Sequence, residues 1–385
     1  MTTQILTERG RLTALRAAAL FDGTSSTLIP DPLVLIDGGA IVAVASGVPT
    51  PENADVIDLG GATLLPGLVD THVHLAFDAS TDPVGHLASR SDGEAIEAMT
   101  RAAQAALRGG VTTVRDLGDR DYLSLGLRGR PGLPTIVAAG PPITTPGGHC
   151  HYLGGVAEPT EKGVRAAVRE HVERGVDVIK IMASGGTLTP GTHQHGLKVT
   201  AHAHAVGAIA AAVAAGADGM EHVSFWTEDS VDAPAELIQL IADRGTVVGA
   251  TVGMAPALGL KPPPAVIARV PLIIGNTRRM YEAGARLVAG TDAGIAPGKP
   301  HDVLRYAPAM LRELGIGPAE ALRIITSEAA GVIGLGHRKG RIAPGFDADI
   351  LAVDGDPLAD LAALHRIRAV YARGTAVPDA GPTAA

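Results

Sequence analysis

Leu65-Pro66-Gly67-Leu68-Val69-Asp70-Thr71-His72-Val73-His74 is an apolar run that ends in two imidazoles. Side chains alternate faces along a strand, so positions 72 and 74 share a face and both rings can reach one metal ion. Borderline metals such as zinc take imidazole nitrogen and carboxylate oxygen. Alone the pair is a weak signal, because the 14 histidines form four such pairs, at 72/74, 149/151, 193/195 and 202/204. Its weight comes from a series of later apolar runs that also end in chemically active residues: Lys180, His202, His222 and Asp292.

Outward from this stretch, short β-branched runs alternate with helical patterns. Candidate strands fall at 64–70, 111–116, 135–139, 176–183, 197–201, 219–224, 246–250 and 286–290. Helical periodicity occupies 94–107, 161–174, 206–215, 234–244 and 266–283, and again 302–314 and 318–333. Eight strands with intervening helices predict an α/β fold, a TIM-type (β/α)8 barrel, which places its chemistry at the carboxyl ends of its strands. The flanks differ. Residues 1–64 show strands and turns without a helix, including a hairpin about Asp37-Gly38-Gly39. Strand patterns return at 350–353 and 367–372. The expected organisation is a barrel over 65–337 and a small β-sandwich domain built from 1–64 and 338–385.

Composition agrees. Of 385 residues, 46% are hydrophobic and 19% charged, which fills a core and argues against disorder. A net charge of −8 without a basic run disfavours nucleic acid and anionic membranes as partners. A single cysteine, Cys150, excludes an internal disulfide and points to a reducing compartment. The first residues lack the apolar core of a signal peptide, and no apolar run reaches a membrane span. A soluble cytoplasmic protein is expected.

Each candidate has a plainer reading beside the chemical one. Lys180, in Val178-Ile179-Lys180-Ile181-Met182, could be a strand-end lysine reaching water. A charge buried between isoleucines is costly unless neutralised. An ammonium repels a metal, but CO2 addition to the amine yields a carbamate that can bridge two. His202 ends one run, with His204 on the same side, either supporting a ligand from behind or contacting the substrate. In Glu221-His222, the histidine is the candidate ligand and the glutamate is expected to be packed or hydrogen-bonded behind it. Asp292, in Gly290-Thr291-Asp292-Ala293-Gly294, could be a turn residue, or a metal ligand that exchanges a proton with water. His149 and His151 lie in a glycine- and proline-rich loop and are expected on the substrate side. Only 13 residues, Ser184 to Gly196, link two parallel strands there, which is short for a crossover. A segment is therefore expected to be missing near Thr192–His193.

Together these segments resemble the amidohydrolase superfamily, particularly its imidazolonepropionase-like and Xaa-Pro dipeptidase-like members. The likeness rests on residues 65–74, Ile179-Lys180-Ile181-Met182-Ala183-Ser184-Gly185-Gly186, Thr200-Ala201-His202-Ala203-His204, Glu221-His222, Gly290-Thr291-Asp292-Ala293-Gly294 and residues 340–349. It implies two divalent metal ions, zinc in most relatives. His72, His74 and Asp292 would hold one, His202 and His222 the second, with N6-carboxylysine at Lys180 as the bridge. It further implies hydrolysis of an amide or ester bond in a small molecule, such as an N-acyl amino acid or dipeptide, by a hydroxide between the metals. Asp292 would move the proton, and a homo-oligomer is expected. A deaminase on the same fold would lack Lys180 and place a glutamate soon after His202, where Ala203-His204-Ala205 stands. The barrel would also accommodate a lyase or cyclase built on the same site, or a scaffold that lost its metals.

Overall fold

The computed structural model describes residues 12–183, 197–256 and 264–381. Among these, eight strands pair in parallel: β1 Leu68–Val73, β2 Val111–Asp116, β3 Thr135–Ala138, β4 Val178–Met182, β5 Lys198–Ala205, β6 Gly219–Trp226, β7 Val247–Thr251 and β8 Leu287–Gly290. They form a sheet of three, β3-β2-β1, and a sheet of five in chain order, β4 to β8. Among the described residues no continuous ladder joins the two sheets. Single parallel bridges link them instead, Val73 to Ala293 on one side and Ile143 to Ile181 on the other. Every residue of β1, β2 and β8 is buried, as expected for parallel strands covered on both faces.

Helices cover these strands. Asp92–Arg108 opens on a reciprocal cap between Ser91 and Glu94 and buries Ala95, Met99, Ala102, Ala103, Ala106 and Leu107. Glu161–Arg174 is capped by the Thr160 hydroxyl and ends at Gly175, whose φ of +79° suits a residue without Cβ. No helix among the described residues is long and apolar enough to cross a membrane.

Both ends of the chain build the remaining two sheets. One orders Ala40–Ser46, Pro32–Asp37, Leu12–Arg16 and Ala54–Asp58. The other orders Thr375–Ala376, Ile367–Ala372, Ile350–Asp354, Ala62–Pro66, Ala19–Leu20 and Ile29–Pro30. One apolar cluster draws from both, including Leu15, Val34 and Ile41 from the first and Leu20, Leu64, Ile350 and Tyr371 from the second.

Three expectations need adjusting. The run at 64–70 is two strands: Ala62–Pro66 pairs antiparallel with Ile350–Asp354, and after Gly67 the chain enters β1. Gly67 donates its N–H to the Asp349 carbonyl, and a Cβ there would strike the Thr112 side chain. The run at 197–201 continues to Ala205, so His202 and His204 lie within β5. The helix expected over 318–333 divides into Pro318–Ile324 and Ser327–Val332. His193, His195 and the segment expected to be missing near Thr192–His193 lie outside the described residues.

Candidate metal centre

Strands β1, β4, β5 and β6, with the chain that follows β1 and β8, bring six sequence-predicted residues together. Nε2 of His72 and of His74 lie 3.4 and 3.2 Å from Asp292 Oδ1. One ligand atom from each of these three buried residues falls within 4.8 Å of the other two. His202, His204 and His222, half-buried, make a second group by the same measure. The groups adjoin, with the His72 and His222 ring centroids 5.2 Å apart. His202 and His222 meet edge to face at 4.5 Å, while His204 stacks on His222 at 4.3 Å.

Left-handed backbone accompanies this convergence, at His222 and Asp292 and also at Val223 and Phe225 beyond His222. His222 has φ +72° and Asp292 φ +59°, conformations a non-glycine residue enters only at a cost. In a regular strand, Glu221 and His222 would point to opposite faces. The turn of the backbone at His222 lets both join the interior network. Asp292 is held in place by its N–H, which donates to the His72 carbonyl at 2.7 Å.

At His74, His204 and His222 the Nδ1 atom is hydrogen-bonded, which leaves Nε2 for a ligand. His74 Nδ1 donates to the Gly118 carbonyl at 3.0 Å. His222 Nδ1 bonds Thr251 Oγ1 at 2.8 Å, and His204 Nδ1 bonds Ser224 Oγ at 2.8 Å. His72 Nδ1 faces Glu221 Oε2 at 3.2 Å. Glu221 is buried and hydrogen-bonded, and its free oxygen faces His72. Beneath the site, the buried Asp70 carboxylate accepts from Thr291 N at 3.0 Å, Thr291 Oγ1 at 2.6 Å and His72 N at 3.2 Å. It ties the strand bearing two histidines to the one leading to Asp292.

Lys180 is 1% exposed, and its Nζ has no hydrogen-bond partner among the described residues. Burial pulls its pKa down to about 8 against the attraction of Glu221 and Asp292. Burial, reinforced by Lys180, lowers His72 to about 4. Burial lowers His204 to about 4 as well, with Asp292 opposing. His202 and His222 lie far below the ordinary imidazole range, again chiefly through burial. Burial opposes ionisation of Asp292, but the surrounding imidazoles outweigh it and hold its carboxyl well below the usual range. His74 is raised, because its bond to Asp292 overcomes burial. Four imidazoles driven toward the neutral form, those of His72, His202, His204 and His222, beside an ionised carboxylate make a set prepared to bind a metal. An orphaned buried amine at its centre fits a lysine that acquires a carboxylate.

Of the expected substrate contacts, His149 reaches the cluster, its ring 4.8 Å from that of His202. His204 also faces Trp226 at 5.1 Å. His151 does not join them: it is exposed, bonds the Gly148 carbonyl through Nδ1 and meets Tyr152 edge-on. The sequence pattern left Asp70, Ser224, Trp226 and Thr251 unassigned. Only Asp70 carried a signal, a lone carboxylate inside an apolar run.

Known proteins share both the sequence pattern and the fold. The family described as "Amidohydrolase family" matches residues 63–377. An imidazolonepropionase of Deinococcus deserti is 27% identical over 397 aligned positions, covering 91% of this chain and 93% of the relative. An ochratoxinase of Aspergillus niger is 26% identical, covering 94% and 85%. A crystal structure of a Xaa-Pro dipeptidase with methionine bound in its active site superposes with a TM-score of 0.79 at 27% identity, covering 95% of this chain and 99% of that one.

Proposed function

This chain belongs to the amidohydrolase family, and from that premise we propose that it is a metal-dependent hydrolase of an amide or ester bond in a small molecule. Its eight parallel strands are read as the wall of a (β/α)8 barrel over 65–337, with the single bridges at the two seams. The sheets from 1–64 and 338–385 are read as a β-sandwich, the chain passing between the two units at Gly67.

In the proposed centre, His72, His74 and Asp292 would hold one divalent ion, His202 and His222 would hold a second, and Lys180, as N6-carboxylysine, would supply a ligand to both. Zinc suits this donor set. The observation that carries the proposal is Lys180: its amine is buried among the ligands without a partner among the described residues, an arrangement that is costly unless the charge is removed. When bound, such ions supply an activated water and a polarised carbonyl.

The chain's own groups do the rest. The Asp292 carboxylate takes the proton of the attacking water and passes it to the leaving amine. Its position between His72 and His74 keeps it in place. His149 and His204 contact the substrate on the open side, with the Trp226 ring as an apolar wall beside His204. Likeness to proteins named imidazolonepropionase, ochratoxinase and Xaa-Pro dipeptidase supports an acyl amino acid or dipeptide as the substrate class.

The test combines metal analysis with a panel of N-acyl amino acids and dipeptides, each assayed with added zinc. Asp292→Asn should keep much of the metal yet lose roughly 10²–10⁴-fold in turnover. Near-normal turnover would remove Asp292 from the proton path. Protein grown with zinc that carries none would refute the metal centre.

A further inference from the structure

Glu221 is 1% exposed and sits where five strands converge. Its Oε1 accepts from Arg115 Nη2 at 2.9 Å and from Thr200 Oγ1 at 2.7 Å. Arg115 is itself buried and anchored through Nε to the Thr71 carbonyl at 2.6 Å, next to His72 in the chain. The other oxygen, Oε2, lies 3.2 Å from His72 Nδ1. The contact is off the line of a good hydrogen bond, and neither atom has another partner among the described residues. On β7 the neighbouring position is Gly249, and a Cβ there would collide with Oε2. Arginine, threonine and glycine thus leave this carboxylate one direction to face, toward His72.

The partners of the other imidazoles make this contact distinctive. His74 uses a backbone carbonyl at Nδ1, and His204 and His222 use hydroxyls. His72 alone of these four faces a carboxylate through Nδ1. A carboxylate behind a metal-binding imidazole fixes the tautomer and ring orientation and raises the basicity of the opposite nitrogen.

We infer that Glu221 is a positioning residue: held by Arg115 and Thr200, it accepts the Nδ1 proton of His72 and aims His72 Nε2 at the centre shared with His74 and Asp292. The inference rests on the metal-ligand role proposed for His72. Arg115 balances the Glu221 charge, so the pair is tolerated beneath the site. Gly249 keeps the space that the contact needs.

The experiment follows transfer of zinc from the loaded full-length protein to a chromophoric chelator, for wild type, Glu221→Gln, Gly249→Ala and Thr200→Val, with thermal unfolding of each. A ¹⁵N-histidine NMR spectrum of wild type and Glu221→Gln reports the His72 tautomer without any need for turnover. Glu221→Gln should weaken one of two zinc sites by about 10–100-fold, leave the other near wild type, and shift the His72 Nδ1 resonance. Gly249→Ala should weaken the same site. Thr200→Val removes one of the two groups that hold the opposite oxygen while Arg115 keeps the other, so it should weaken the same site by much less than Glu221→Gln. Unchanged zinc affinity in Glu221→Gln would overturn the inference while leaving the metal centre intact. Equal zinc loss in Glu221→Gln and Thr200→Val would also overturn it, by reducing Glu221 to a packing role. A wild type that binds no zinc would refute the metal centre itself, and the inference with it.

Discussion

Asp70 offers the clearest quantitative test of how the site is held together. It is fully buried and accepts three hydrogen bonds, two from Thr291 and one from the His72 backbone. Asp70→Ala leaves two backbone N–H groups and a hydroxyl without that acceptor. Each unsatisfied buried donor costs about 1–3 kcal/mol, so a loss of about 3–6 kcal/mol is expected after partial relaxation. Asp70→Asn keeps one oxygen, which can still serve the two N–H groups that share Oδ1. Those bonds fall from charge-assisted to neutral strength, and the new amide confronts the Thr291 hydroxyl. Removing a buried charge offsets part of this, leaving a loss of about 2 kcal/mol. For a chain of this size each kcal/mol moves the melting temperature by about 2 °C. Scans at a fixed rate should therefore show drops of about 4 °C for Asn and about 6–12 °C for Ala. Thr291→Val should cost less than Asp70→Ala, and adding it to Asp70→Ala should do little more, because the two remove one shared bond. Full additivity, or an Asp70→Asn melting within experimental error of wild type, would refute the role of this carboxylate as the tie between β1 and β8.

Other consequences can be measured directly. In Gly290→Ala the added carbon would lie 2.5 Å from His72 Cβ; lower thermal stability and weaker zinc retention are expected, and wild-type values for both would mean that β8 has room to spare. Asp78 accepts from His86 Nδ1 at 2.8 Å and Arg90 Nη2 at 2.7 Å. Burial disfavours its charged form, but hydrogen bonds from Ser80, His86 and Arg90 outweigh this and bring its pKa down to about 2 from 3.8. A lowered carboxyl pKa stabilises the fold above the unfolded value and loses that effect as pH falls through the folded one. The stability gap between wild type and Asp78→Asn should be complete above about pH 4 and close toward pH 2; a gap independent of pH in that range would exclude the mechanism.

The parallel strands were legible because apolar β-branched runs with few polar residues suit sheets buried on both faces. Val111–Asp116 and Ile367–Ala372 appear where the pattern put them. What the pattern could not reveal was a change of partner. Residues 64–70 read as one strand, yet Ala62–Pro66 pairs with Ile350–Asp354 and Leu68–Val73 with β2. Gly67 marks the exchange, and its need for a missing side chain arises from Thr112, far along the sequence. The ligand-type residues were visible because each ends an apolar run. The role of Glu221 was not, because strict alternation put it on the far side of the strand from His222.

That failure identifies the physical basis of the site. Alternation fails at His222 because its backbone is left-handed, and Asp292 shares the conformation. Such strain costs of order 1–3 kcal/mol per residue and persists only where the surroundings over-determine it. Here they do. Thr251 of β7 holds the His222 ring, the His72 carbonyl of β1 holds the Asp292 N–H, and Asp70 of β1 holds the adjacent Thr291 at two atoms. Each restraint comes from a strand other than the one it steadies, so neither strained residue depends on its own neighbours in sequence alone. The placement of the centre is thus carried largely by buried groups that would touch no metal and no substrate. Losing one of them should displace a ligand without removing it, so the ligand set can remain whole in the sequence while its geometry is lost.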